Sequence, residues 1–195
     1  MIRYQKNPKG SGKIIEVDGR KYQAKYIGKG QYSKVYRVGD RVVYYTRGDC
    51  GKEVLAQFQY NRMTHLPELI RHENITTVIG TWYVFSSPYY RDVKKSDTSA
   101  YSLMREIVKV FDACSGHYGK KKLGIDTMRE FVEVIRAMKF PRSIVRALYE
   151  LSEIAGNCGE NMYFDFHKKN FGVNEYGTLI FRDPMYRTKS GKPYQ

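Results

Sequence analysis

Apolar and polar residues alternate in short runs through the first half of the chain and fall at helical spacing from Ser99 onward. Lys13–Val17 and Tyr22–Gly28 read as strands about a turn at Asp18-Gly19-Arg20. Ser33–Val38 and Arg41–Thr46 are β-branched and aromatic runs separated by Gly39-Asp40, the pattern of a tight hairpin. Glu53–Met63 carries apolar residues at helical spacing and predicts a helix. Asn74–Phe85 reverts to strand composition, broken at Gly80 into two strands. In the second half, Ser99–Ala113 and Ile125–Met138 read as amphipathic helices, the latter capped by Asp126. A third helix starts at Pro141, or at a Ser143 cap, and runs to Ala155, ahead of Gly156-Asn157. Short strands follow at Tyr163–Phe166, Phe171–Val173 and Leu179–Phe181, the last two joined by a turn at Asn174–Gly177. The expected class is α+β. An antiparallel sheet with one helix occupies 13–90, a small and mostly helical part occupies 91–195, and a loose basic arm occupies 1–12.

At 195 residues the chain can hold one substantial core or two small lobes. Hydrophobic residues at 42% and charged residues at 28% describe a globular chain. No apolar run reaches the roughly 18 residues of a membrane span, so no membrane partner is expected. The N-terminus is basic but lacks the apolar core of a secretory signal. Cys50, Cys114 and Cys158 form no CxxC pair, which argues against structural zinc and a disulfide framework and for a reducing, cytoplasmic setting. Cys114, on an apolar stretch, reads as a small core residue. The net charge of +14 and pI of about 9.6 favour acidic partners: nucleic acid, nucleotide phosphates or an acidic protein surface. The basic residues are spread along the chain, with clusters at Lys120–Lys122 and Arg182–Lys192.

Two places carry candidate chemistry. In Ile27–Tyr36, Gly28 and Gly30 precede a strand, and closely spaced glycines let backbone N–H groups approach phosphates. The loop lies between two strands rather than opening a helix, so it differs from the Walker pattern. With a two-residue turn at Gly39-Asp40, Val38 pairs with Arg41 and Val35 with Tyr44, and paired residues point to one face. A strand-borne lysine normally completes a nucleotide site by holding the inner phosphates; with Val35 over the base, Tyr44 takes that place, and a phenol is neutral at pH 7. Lys52 at the start of the following helix and Lys34 in the loop are both available as substitutes. Glu53 and Glu68 are both available to orient such a lysine.

The stronger signal is Phe164–Pro184. Asp165 lies five residues before Asn170, and Asp183 follows a hairpin. A carboxylate there can serve as a general base. Asn170 offers an uncharged oxygen to Mg2+ and Asp183 the charged oxygen that this ion prefers. His167 reads as a structural residue tying the loop to Asp183 or to backbone, with a catalytic role as the alternative. Lys168 and Lys169 can meet a transferred phosphate, or lie exposed.

The glycine loop, the hairpin, Asp165-Phe166-His167-Lys168-Lys169-Asn170 and the closing Arg182-Asp183-Pro184 together resemble the protein-kinase superfamily, over about Tyr26–Tyr186. The Asp-x-His-x-x-Asn loop is similar to that of aminoglycoside-phosphotransferase-like kinases, and most of all to the small early Ser/Thr protein kinases of lytic phages. The resemblance implies a minimal two-lobed fold with ATP and Mg2+ as cofactors. It implies Asp165 as catalytic base, Asn170 and Asp183 as metal ligands, and Gly28 and Gly30 over the phosphates. Ser33 falls at the third glycine place, and Val35 lies over the base. Tyr44 departs from the pattern. Only 12 residues follow Asp183, so no activation segment or large substrate lobe is expected. Three readings stand: a protein kinase acting on host proteins in the host cytoplasm, a pseudokinase that binds and inhibits a host protein, and a basic nucleic-acid-binding protein. The 18 tyrosines would serve the last as stacking surfaces.

Overall fold

The computed structural model describes residues 2–6, 13–17, 20–29, 33–47, 50–57, 63–72, 74–77, 80–117, 125–157 and 162–187. The chain divides into two compact units, Met1–Asp49 with Glu68–Tyr89, and Cys50–Pro67 with Tyr90–Gln195. No described helix is long and apolar enough to cross a membrane.

The first unit is an antiparallel sheet of strands β1 (Ile2–Lys6), β2 (Lys13–Val17), β3 (Arg20–Lys29), β4 (Ser33–Val38), β5 (Arg41–Thr46), β6 (Ile70–Arg71), β7 (Ile75–Thr77) and β8 (Gly80–Pro88). Their order is β1-β2-β3-β4-β5-β8-β6, with β7 paired to β8. The β4–β5 register is the one that the two-residue turn dictates, Val38↔Arg41 through Val35↔Tyr44. Gly39, at φ 62°, takes the left-handed conformation that a tight hairpin turn demands. Alternation places Tyr36, Val38, Val43 and Tyr45 in one buried cluster with Ile15, Ala24 and Val84. The Tyr36 ring meets those of Tyr26 and Tyr45 edge-on at 5.5 and 5.7 Å.

The second unit contains α1 (Cys50–Gln57), α2 (Thr98–His117), α3 (Ile125–Ala137) and α4 (Arg142–Asn157). Four three-residue strands join them: β9 (Met162–Phe164), β10 (Phe171–Val173), β11 (Leu179–Phe181) and β12 (Met185–Arg187). β10 pairs with β11 and β9 with β12, both antiparallel. Ile144, Ala147, Leu148 and Leu151 fall at i, i+3, i+4 and i+7 on α4 and form its buried stripe. Phe131 of α3 is fully buried, and Phe111 of α2 meets it edge-on at 5.8 Å. Both rings converge on Phe166, which follows β9.

The α+β class, with the sheet first and the helices after, is as expected. Several details differ. The segment expected as a loose arm contributes β1, because backbone pairing with β2 runs from Ile2↔Val17 to Lys6↔Lys13. The helix expected over Glu53–Met63 within the N-terminal part is α1, which starts at Cys50 and belongs to the second unit, buried there through Val54 and Leu55. The residues 58–62 lie outside the described residues. Asp126 sits within the first turn of α3 rather than at its cap, and Ser143 within the start of α4. Cys114 is half-buried rather than in the core, and burial pushes its thiol pKa up.

His65 is a buried tie that the sequence pattern did not reveal. Its Nδ1 donates to Leu179 O at 2.7 Å, and a carbonyl can only accept, so Nδ1 carries the proton. Nε2 lies 3.0 Å from the Ser143 hydroxyl, and the ring stacks on Phe181 at 6.0 Å. Burial pulls its pKa below 6.5, partly offset by the bond to Leu179. The unfolded imidazole therefore takes up a proton before the folded one does. Stability from this site is complete above pH 6.5 and is lost as pH falls below it, until the folded ring protonates too. Urea midpoints measured from pH 8 to pH 5 are expected to fall in wild type and to fall less steeply in His65→Gln. Equal slopes for the two would contradict this account.

Candidate functional site

Two short ladders place the polar residues of Phe164–Pro184. β9 pairs with β12 through Phe164↔Met185, and the Asp165 N–H donates to Pro184 O at 2.9 Å, which carries the pairing one step further. β10 pairs with β11 through Phe171↔Phe181, and the Arg182 N–H donates to Asn170 O at 2.8 Å, extending that ladder in the same way. Asp183 is the single residue between the two crossings. Asp165, Asn170 and Asp183 are thus gathered where the ends of both ladders meet.

Each has a defined environment. Asn170 Nδ2 donates to the Asp165 carbonyl at 2.8 Å, which fixes the amide and leaves its Oδ1 without a hydrogen bond among the described residues. The Asp165 carboxylate is 43% exposed, and His167 Nε2 lies 3.5 Å away, too long for a normal hydrogen bond. His167 Nδ1 accepts from the Lys169 N–H at 3.2 Å and caps the single 3₁₀ turn Lys168–Asn170. It thereby ties the loop to backbone. Lys168 and Lys169 are exposed.

Asp183 receives Lys52 Nζ at 2.8 Å; the lysine is 3% exposed and the carboxylate 44%. Lys52 is therefore not a solvated charge at a helix start. It is buried on α1, which packs beside β12, and it joins positions 131 residues apart.

Beside Asp183, the Arg182 guanidinium donates to Tyr90 O at 3.2 Å and Lys169 O at 2.8 Å, and pairs with Asp92 at 2.9 Å. Gly172 makes this possible. A Cβ there would lie 2.8 Å from Arg182 Cδ, 2.9 Å from Tyr90 Cβ and 3.0 Å from the Arg91 carbonyl. Arg91 exchanges backbone hydrogen bonds with Val173 and grips Asp97 through both terminal nitrogens at 2.7 and 2.6 Å. That guanidinium holds the Asp97 carboxyl down at about 2. Gly172 did not stand out in the sequence, and Arg182 did so only within the basic stretch and the Arg182-Asp183-Pro184 step, because close approach leaves no local signature.

The candidates of the first unit lie on β3, β4 and β5. Gly28 faces Val35 across the ladder after an irregularity at Tyr26/Gly28, and a Cβ on it would meet nothing within 4 Å. Neither packing nor its φ angle requires a glycine at that position. Ser33 is buried opposite Thr46, and Gly30 lies outside the described residues. Val35 pairs with Tyr44, whose hydroxyl lies 3.3 Å from that of Ser87. Lys34 sits over the Trp82 ring at 5.3 Å.

A carboxylate and an amide oxygen are hard donors of the kind Mg2+ takes together with phosphate oxygens and water. Among the described residues no group of three or more His, Cys, Asp or Glu side chains could hold a metal. Asn170 and Asp183 present one neutral and one charged oxygen of that kind.

No protein-family model matches the chain, and no curated protein matches it in sequence. Among solved structures, the crystal structure of aminoglycoside phosphotransferase APH(4)-Ia is similar to it with a TM-score of 0.37 at 13% identity, covering 85% of this chain and 68% of that one. The apo form of a thermostable mutant of the same enzyme gives 0.36 at 15% identity over the same shares.

Gly172→Ala forces Arg182 or the Tyr90–Arg91 backbone to move. It is expected to cost about 1–3 kcal/mol in urea denaturation, the usual range for overpacking. Unchanged stability would mean that Arg182 is not clamped as described.

Proposed function

We propose that this chain is a phosphotransferase of the protein-kinase type that passes the γ-phosphoryl group of ATP to a Ser or Thr hydroxyl of an acidic protein. The observation that carries the reading is the meeting of Asp165, Asn170 and Asp183 at the ends of two ladders. Asp165, partly exposed, is the general base that takes the acceptor proton as the new oxygen–phosphorus bond forms and the bond from the γ-phosphorus to the bridging oxygen breaks, releasing ADP. Asn170 Oδ1 and Asp183 are the residues that would hold Mg2+, which when bound supplies charge neutralisation at the phosphates. Lys52 fixes one oxygen of Asp183 and so orients the carboxylate. Exposed Lys168 and Lys169 offer positive charge beside the base. Gly28, Gly30, Ser33 and Val35 are assigned to the nucleotide on resemblance alone. The Phe-Asp-x-His-x-x-Asn spacing and the Asp-Pro step support the branch of early phage kinases, and with it a host protein as acceptor. The +14 charge supports an acidic one.

A second reading has its own observation. Tyr44 holds the strand position of the missing lysine, and of the two candidate substitutes Lys52 is engaged with Asp183 and Lys34 sits over the Trp82 ring. A module of this kind binds a host protein and acts by occupancy alone. Incubation with γ-labelled ATP and Mg2+ separates the two readings. Label incorporated by wild type is expected to drop about a hundredfold or more in Asp165→Asn and in Asp183→Ala. No incorporation, together with no thermal shift on adding ATP and Mg2+, removes the phosphotransfer reading.

A further inference from the structure

We infer that the groove between α3 and α4 is a docking surface for an acidic, partly apolar segment of a partner protein. The groove is a cavity of about 730 Å3 within the second unit. Arg142, Val145, Arg146 and Tyr149 fall at i, i+3, i+4 and i+7 on α4, on the side opposite its buried stripe. Arg136 and Glu133 come from α3, and Lys139 from the turn between the helices.

Charge argues for the occupant. Four cations, Arg136, Lys139, Arg142 and Arg146, face one carboxylate, Glu133, and that carboxylate lies 3.4 Å from Arg136 in an exposed pair. The side chains of Lys139, Arg142 and Arg146 make no ion pair among the described residues, and the first turn of α4 contains no acid to answer them. Lys139 adds a second observation. It stands at φ 59°, where glycine fits with less strain, so this backbone position carries a cation at a conformational cost.

The floor distinguishes a peptide from a nucleic acid. Val132 and Phe140, both buried, line the groove together with the cations, and Tyr149 is 56% exposed. A nucleic-acid backbone is held by phosphate contacts that need no apolar floor. A peptide with acidic and apolar side chains uses both features, and exposed tyrosine and arginine are the residue types that anchor such interfaces. The inference does not depend on phosphoryl transfer.

Fluorescence anisotropy on the full chain tests it, with a labelled peptide alternating glutamate and leucine and an analogue carrying lysine for glutamate. The acidic peptide is expected to bind, and to bind less tightly as salt is raised. The double variant Arg142→Glu, Arg146→Glu, with both sites exposed, is expected to raise Kd about tenfold or more while keeping its thermal midpoint. Lys139→Gly is expected to weaken binding while leaving the midpoint unchanged or higher. Asp183→Ala, placed in the other site, is expected to bind as wild type does, which keeps this inference separable from catalysis. The inference is overturned if wild type does not bind the acidic peptide, if the double variant binds it equally, or if the lysine analogue binds as well. It is overturned as well if a single-stranded oligonucleotide displaces the peptide and loses its own affinity in the same variants.

Discussion

Phe166 anchors the second unit, and the chemistry of its neighbours follows from that burial. Its ring is 1% exposed and lies 5.0 to 5.9 Å from the rings of Phe164, Phe181, Phe111, Phe131 and Phe171. Burying one phenylalanine is worth about 1.5–3 kcal/mol, and well-oriented ring pairs add about 0.5–1.5 kcal/mol each. An exposed contact such as His167 to Asp165 contributes about 0–1 kcal/mol at most. Aromatic packing therefore holds this loop, and its polar contacts only orient it. With Phe166 fixed inward, Asp165 and His167 on either side of it are left partly exposed at 43% and 51%.

A second layer fixes the opposing segment. Arg182 and Pro184 each take part in one ladder crossing, so Asp183 has little freedom between them. Arg182 is seated by the open Cα of Gly172, and Lys52 approaches Asp183 from α1. The pair joins a buried ammonium to a partly exposed carboxylate. An ammonium at 3% exposure without a close carboxylate carries a large desolvation cost, so this contact ties α1 to the Asp183 segment within the second unit more firmly than its distance alone suggests.

How much of this was legible in the sequence depended on range. The β4–β5 register could be counted because a two-residue turn leaves no freedom in pairing. The three long helices were visible because each repeats its apolar period over several turns. β6 and β12, of two and three residues, carry no period and were missed, while β10 and β11, equally short, were marked by the turn between them. The grouping of Asp165, Asn170 and Asp183 was suggested by spacing, but the pairing that gathers them rests on β12, which the pattern did not show. Long-range ties were hidden for the same reason. Nothing near Lys52 in sequence marks Asp183 as its partner, and nothing near His65 marks Leu179 or Ser143.

Aromatic burial at Phe166 holds the acid–amide–acid group as one unit. Amide hydrogen exchange at Asp165, Asn170 and Arg182 tests it most directly, because their N–H groups donate to Pro184 O, His167 O and Asn170 O. All three are expected to exchange as slowly as the buried helices of the second unit, and to speed up together in Phe166→Ala. Exchange of the three at separate, loop-like rates in wild type would contradict the account.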